Sequence, residues 1–240
     1  MSRPMTLPRN QAIALNGFRW MEADAYLFDI DGTLLVTRDL VHRNALHHAM
    51  SEVYGVDTTI DGIAYHGKTD LGILRAALER MGISGEAFEA KLPAALNVVC
   101  LDVAANANRI VANVCEGIPE VLGRLKAAGK LLGVASGNLE AVGWHKVQAA
   151  GLRPFFSFGC FSDHCELRVD IFRQGVAEAR QRTRKNAVVC FIGDTPEDIR
   201  AAQGVSAQVV AVCTGIFKNE ELACHAPDAC VNSCMELLAS

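Results

Sequence analysis

From residue 118 onward the chain alternates two patterns, and no other feature restricts its fold as much. Short, continuously apolar runs, "KLLGVA" (130–135), "NAVVCFIG" (186–193) and "AQVVAV" (207–212), alternate with segments whose apolar residues recur at helical spacing. Those helical segments span 118–129, 139–151, 170–182 and 195–204. Gly129, Gly151 and Gly204 end three of them, and Pro196 opens the last. A strand apolar on both faces must be covered on both faces, and strands joined through helices run parallel. The pattern predicts an α/β chain with a Rossmann-like, doubly wound parallel sheet. "YLFDIDGTLL" (26–35) adds another buried strand near the start.

Residues 36–115 break this rhythm. They read as helices over roughly 38–54, 69–82, 85–99 and 101–114, with no strand among them. The expected organisation is an N-terminal extension (1–23), an α/β core (24–35 and 116–240) and an all-helical cap domain inserted at 36–115. With 240 residues, half of them hydrophobic, the chain can bury such a core. A net charge of −4 argues against a nucleic-acid partner. No apolar run approaches the ~18 residues of a membrane span. The first 23 residues carry Arg3, Arg9 and Arg19 against Glu22 and lack the apolar stretch of a signal peptide. They read as a loosely ordered extension. The nine cysteines are odd in number, and Cys190 and Cys213 lie inside apolar runs. These features fit a reducing, cytoplasmic setting without structural disulfides.

In sheets of this kind, sites form beyond the carboxyl ends of the strands. Three strands here end in polar groups: Asp29 and Asp31, then Ser136, then Asp194. Clustered carboxylates suit a hard cation such as Mg²⁺, which also takes waters and phosphate oxygens. Asp29 and Asp31 alternate along one strand and so can share a side, one attacking while the other handles a proton. Gly32 allows close backbone approach, and exposed N–H groups at Gly32 and Thr33 could hold phosphate oxygens.

These residues resemble the haloacid dehalogenase superfamily, in its phosphoglycolate phosphatase-like subgroup with a helical cap. Asp29-Ile30-Asp31-Gly32-Thr33 is similar to its first motif, Ser136 in "VASGN" to its second, and "IGDTPED" (192–198) to its fourth. The resemblance implies a Mg²⁺-dependent phosphatase for a small phosphorylated metabolite. Asp29 would be nucleophile and metal ligand, and Asp31 acid/base and metal ligand through its carbonyl. Asp194 would be the third ligand and Asp198 a support. Ser136, Gly137 and Asn138 would bind phosphate. The third motif departs from the family pattern, because Glu166 stands where a Lys is usual. Arg168, two residues before the helix expected at Asp170, takes the cationic role, with Arg173 as fallback.

"HGKTD" (66–70) resembles the entry to such a cap. Lys68 and His66 are its candidates for reading the leaving group, while Thr69 or Asp70 caps the next helix. Asp163 and His164, in the loop before Arg168, are weaker pocket candidates. His42, His47 and His48 read as solvated. Cys224, His225, Cys230 and Cys234 lack paired zinc-site spacing. A sugar phosphomutase would keep the same motifs. A carbon–halogen hydrolase would need neither Asp31 nor Asp194. A non-catalytic binding protein on a decayed scaffold would rest on the altered third motif alone.

Overall fold

A computed structural model describes residues 17–239. In chain order the elements are β1 (Ala25–Phe28), β2 (Leu35–Thr37), α1 (Val41–Tyr54), α2 (Asp70–Glu79), α3 (Gly85–Glu89), α4 (Leu92–Ala105) and β3 (Ala112–Val114). There follow α5 (Ile118–Ala127), β4 (Leu131–Ala135), α6 (Glu140–Ala149), β5 (Phe158–Cys160), α7 (Arg168–Arg182) and β6 (Val189–Gly193). The chain closes with α8 (Pro196–Gly204), β7 (Gln208–Val212), α9 (Asn219–Ala223) and β8 (Ala229–Val231).

Six strands form one parallel sheet in the order β5-β4-β1-β6-β7-β8. Alternate residues serve opposite faces, as the period of two requires. Phe28, Val134 and Ile192 pack with Val121, Leu122 and Leu125 of α5, whereas Leu27 and Phe191 pack with Phe172 of α7 and Ile199 of α8. The doubly wound α/β architecture expected from the sequence is therefore present.

The helical insertion has its own apolar cluster, including Leu46, Met50, Leu74, Phe88 and Val99. Leu139 and Val142, from the start of α6 and the residue before it, belong to the same cluster. The insertion thus sits on α6, directly above the sheet's carboxyl edge. Local chemistry sets its ends. Gly55 closes α1 in the left-handed region, and the Thr69 hydroxyl accepts from the Gly72 N–H at 3.1 Å to cap α2.

Several expectations need correction. The helix expected over 101–114 does not exist. α4 ends at Ala105, and β3 follows, antiparallel to β2. Asn106 stops the helix, and the β-branched Ile110, Val111 and Val114 favour an extended chain once a partner strand is available. β5 was not anticipated, being only three residues long. α7 begins at Arg168, not Asp170. Within the supposed extension, Trp20 and Ala23 are buried in the main core, and the Tyr26 hydroxyl donates to the Trp20 carbonyl. Residues 1–16, with Arg3 and Arg9, lie outside the described residues.

Candidate active site

β4, β1 and β6 are neighbours, so the ends that carry Ser136, Asp29 and Asp194 are brought side by side. Asp29 is 5% exposed, Asp194 3% and Asp198 fully buried. One oxygen from each of these three lies within 4.8 Å of the others. Arg168, at the first turn of α7, is the cation among them. Its guanidinium meets Asp29 Oδ1 at 2.7 Å and Asp198 Oδ1 at 2.7 Å, and donates to the Gly67 carbonyl at 3.1 Å. Burial opposes the charge on Arg168, but Asp198 and Asp29 outweigh it and keep the guanidinium firmly protonated.

The acids are less comfortable. Burial pushes the Asp29 carboxyl up to about 6, with Asp198 and Asp31 adding to the rise and Arg168 opposing it. Burial, then the nearby Asp29 and Asp198, drive Asp194 upward as well. Three buried carboxylates face one guanidinium, which leaves a local deficit of positive charge.

The loops around Asp194 are built to be close. A Cβ on Gly32 or on Gly215 would collide with the Asp194 carboxylate, so only glycine fits at either place. Thr33 Oγ1 donates to Asp194 Oδ1 at 2.9 Å, and Thr214 Oγ1 donates to the Gly32 carbonyl at 2.6 Å. Asp198 forms a capping box with Thr195 at the start of α8. It accepts from the Thr195 N–H at 3.0 Å and the Thr195 hydroxyl at 2.7 Å. Its carboxylate is thus spent on Thr195 and Arg168. Asp29 and Asp194 are the side chains whose oxygens remain for a cation. A divalent ion with carboxylate and carbonyl oxygen ligands fits both this donor set and the charge deficit.

Asp31 has its own set of partners. Its Oδ2 accepts from Lys146 Nζ at 2.7 Å and from Asn138 Nδ2 at 2.8 Å. Removal from water would raise this carboxyl, but Lys146 and Asn138 hold it below its usual value. Ser136 is buried; its hydroxyl accepts from Asn138 Nδ2 at 2.9 Å, so its own proton is available to donate.

The expected phosphate donors therefore divide. The Gly32 N–H donates to the Leu35 carbonyl at 2.8 Å and the Thr33 N–H to that of Ile30 at 3.3 Å. Both are consumed inside the turn, and the Thr33 hydroxyl is committed to Asp194. Asn138 is likewise absorbed by Asp31, Ser136 and Lys146. Ser136 and Gly137 are left as the expected donors with capacity to spare.

The cap closes over this edge. The Asp70 N–H donates to the Gly137 carbonyl at 2.8 Å, and Asp70 Oδ2 accepts from the Leu139 N–H at 2.8 Å. Thr69 Oγ1 donates to the Glu166 carbonyl at 2.7 Å, and Arg75 Nε meets Glu166 Oε1 at 2.7 Å. Glu166, found where a Lys was expected, thus anchors the cap. Lys68 and His66 line a cleft of about 630 Å³ with Arg168, Glu197 and Arg200. Burial lowers the His66 imidazole, while the Asp31 charge works in the opposite direction. Asp163 instead caps α6, accepting from the Glu140 N–H at 2.8 Å. Arg173 pairs with Asp170 on the surface and does not reach the acids.

Lys146, His42 and Asp70 were missed as a group. In the sequence Lys146 sits mid-helix in "GWHKVQ" and reads as a surface lysine. Reading His42 as solvated was wrong: its Nδ1 lies 3.1 Å from Lys146 Nζ, and its Nε2 lies 3.2 Å from Asp70 Oδ2.

Residues 26–212 match a family described as haloacid dehalogenase-like hydrolase. The chain belongs to that family and is a hydrolase of it. It resembles CbbY from Rhodobacter sphaeroides, solved in complex with phosphate, at 19% identity and TM-score 0.66, covering 90% of this chain and 96% of that one. It also resembles a protein described as a predicted phosphoglycolate phosphatase from Haemophilus somnus, at 18% identity and TM-score 0.62, covering 90% and 97%. A hydrolase from Pseudomonas syringae aligns at 18% identity and TM-score 0.65, covering 90% and 96%. No curated protein matches the sequence. Among the described residues, no helix is long and apolar enough to cross a membrane.

Proposed function

We propose that the chain is a Mg²⁺-dependent phosphohydrolase acting on a small phosphate monoester. The observation that carries this reading is the buried cluster of Asp29, Asp194 and Asp198 against Arg168, at the carboxyl ends of adjacent strands. Asp29 attacks phosphorus with one carboxylate oxygen, and the bond from phosphorus to the leaving oxygen breaks. Asp31, in its protonated form, gives its proton to that oxygen and releases the alcohol. Asp31 then takes a proton from water. The water oxygen attacks phosphorus, and the bond to Asp29 breaks, releasing inorganic phosphate and restoring both side chains. Arg168 holds Asp29 in place and faces the charge that spreads over the phosphoryl oxygens. Ser136 and the Gly137 N–H hold phosphate oxygens. Asp29, Asp194 and the Asp31 carbonyl would hold Mg²⁺, which supplies charge neutralisation at the transferring group.

One neighbour supports a phosphorylated small molecule as substrate, since CbbY was solved with phosphate and, as a mutant, with xylulose-1,5-bisphosphate. Lys68 and His66, on the cap side of the cleft, are the proposed readers of the leaving group. The test is phosphate release from a panel of phosphate monoesters with Mg²⁺ or EDTA, for wild type and Asp29→Asn. Mg²⁺-dependent release that vanishes in Asp29→Asn is expected. Release that survives the substitution would refute the covalent mechanism.

A further inference from the structure

Lys146 lies outside the groups that touch phosphate or metal in the proposed reaction, yet it is among the most enclosed charged side chains in the molecule. Its side chain is 5% exposed. An ammonium has three donors and no acceptor capacity. Lys146 spends all three: on Asp31 Oδ2 at 2.7 Å, Asn138 Oδ1 at 2.8 Å and His42 Nδ1 at 3.1 Å. Accepting from Lys146 at Nδ1 makes His42 the tautomer with its proton on Nε2, which faces Asp70 Oδ2 at 3.2 Å. Asp70 in turn is tied to the loop that follows β4, through Leu139 and Gly137.

The chain of contacts has a direction. Asp31 and Asn138 belong to the core, Lys146 to α6, and His42 and Asp70 to the first turns of α1 and α2 in the cap. Both donors to Asp31 converge on Oδ2. Oδ1 is therefore the oxygen left to carry a proton toward a leaving group. A carboxyl group accepts at its carbonyl oxygen whether or not the other oxygen is protonated, so this hold survives both steps of the reaction.

We propose that Lys146 is a positioning residue for Asp31, turning Oδ1 toward the leaving oxygen, and that His42 and Asp70 supply this hold only when the cap is docked. The inference rests on the phosphohydrolase reading and deepens it. Asp31 is organised for proton delivery by the same contacts that seat the cap, so proton delivery is coupled to closure.

The test separates proton delivery from the rest of catalysis by choice of leaving group. 4-Nitrophenyl phosphate leaves as a stable phenolate and needs little protonation, whereas glycerol 2-phosphate must leave as an alcohol. Lys146→Met is expected to lower kcat on glycerol 2-phosphate by about 100-fold, the usual worth of a general acid. On 4-nitrophenyl phosphate kcat falls by roughly fivefold or less, and KM for both stays within roughly threefold. His42→Gln shows the same selectivity with a loss of about tenfold, and the double variant is no worse than Lys146→Met, because the two act in one chain. Equal losses on both substrates, a loss confined to KM, or additive losses would overturn the proposal. If Lys146→Met does not fold, His42→Gln decides alone by the same criterion. A wild type that releases phosphate from no monoester of the panel, these two included, or an active Asp29→Asn, overturns the phosphohydrolase reading and this inference with it. A wild type that turns over both with unselective variants overturns the inference only.

Discussion

Replacing Arg168 with Met tests the electrostatic account of the site. Arg168 is 8% exposed, and its guanidinium makes ion pairs of 2.7 Å to both Asp29 and Asp198. Met keeps much of the volume and removes the charge. Asp198, with no exposure, is then left without its cationic partner and with only the Thr195 donors. Removing one partner of a buried pair costs about 3–5 kcal/mol. At roughly 2–4 °C per kcal/mol for a chain of this size, melting in EDTA should fall by about 6–20 °C. Differential scanning calorimetry on wild type, Arg168→Met and Arg168→Met/Asp198→Asn reads this directly. The double variant should recover part of the loss, because the uncompensated charge has gone. A single variant melting within about 2 °C of wild type would refute the reasoning. So would a double variant less stable than the single one.

Other outcomes follow from the same geometry. Because the Asp29 carboxyl is raised to about 6 in the folded protein, the native state holds a proton there that the unfolded chain releases near its ordinary value. In EDTA, the melting temperature of wild type minus that of Asp29→Asn should fall as pH rises from about 4 to about 6.5 and level off above. A difference that rises with pH would reverse the sign of the argument. Adding Mg²⁺ at about 100 times its dissociation constant should stabilise the protein by about 2.7 kcal/mol at neutral pH, and Asp194→Asn should remove most of that gain in a thermal shift titration. Gly117 opens α5 at φ +80°, where a Cβ would strike the backbone of Cys234 and Met235. Gly117→Ala should therefore destabilise by more than about 1 kcal/mol in denaturant melts, without changing KM.

What the sequence by itself determined was the central strands of the parallel sheet and the residues at their ends. Continuous apolar runs separated by helical segments admit one class of fold. In that class, neighbouring strands must deliver Asp29, Ser136 and Asp194 to a common edge. These are local patterns, set by side-chain period and turn chemistry, and they need no knowledge of distant partners. Arg168 could be proposed from its offset, but its place between Asp29 and Asp198 depends on how α7 packs beside β6.

The tertiary structure decided everything that requires two distant segments to meet. β3 is a strand because β2 lies across from it, some 75 residues earlier. Glu166 holds Arg75 of the cap, 91 positions away. Lys146 is 115 positions from Asp31 and 104 from His42, and its burial comes from the cap lying on α6. A lysine in mid-helix carries no local sign of such a fate, because its environment is made by the docked cap and not by its neighbours in the chain. The N–H groups of Gly32 and Thr33 show the converse. They looked available for phosphate until the folded turn used them itself.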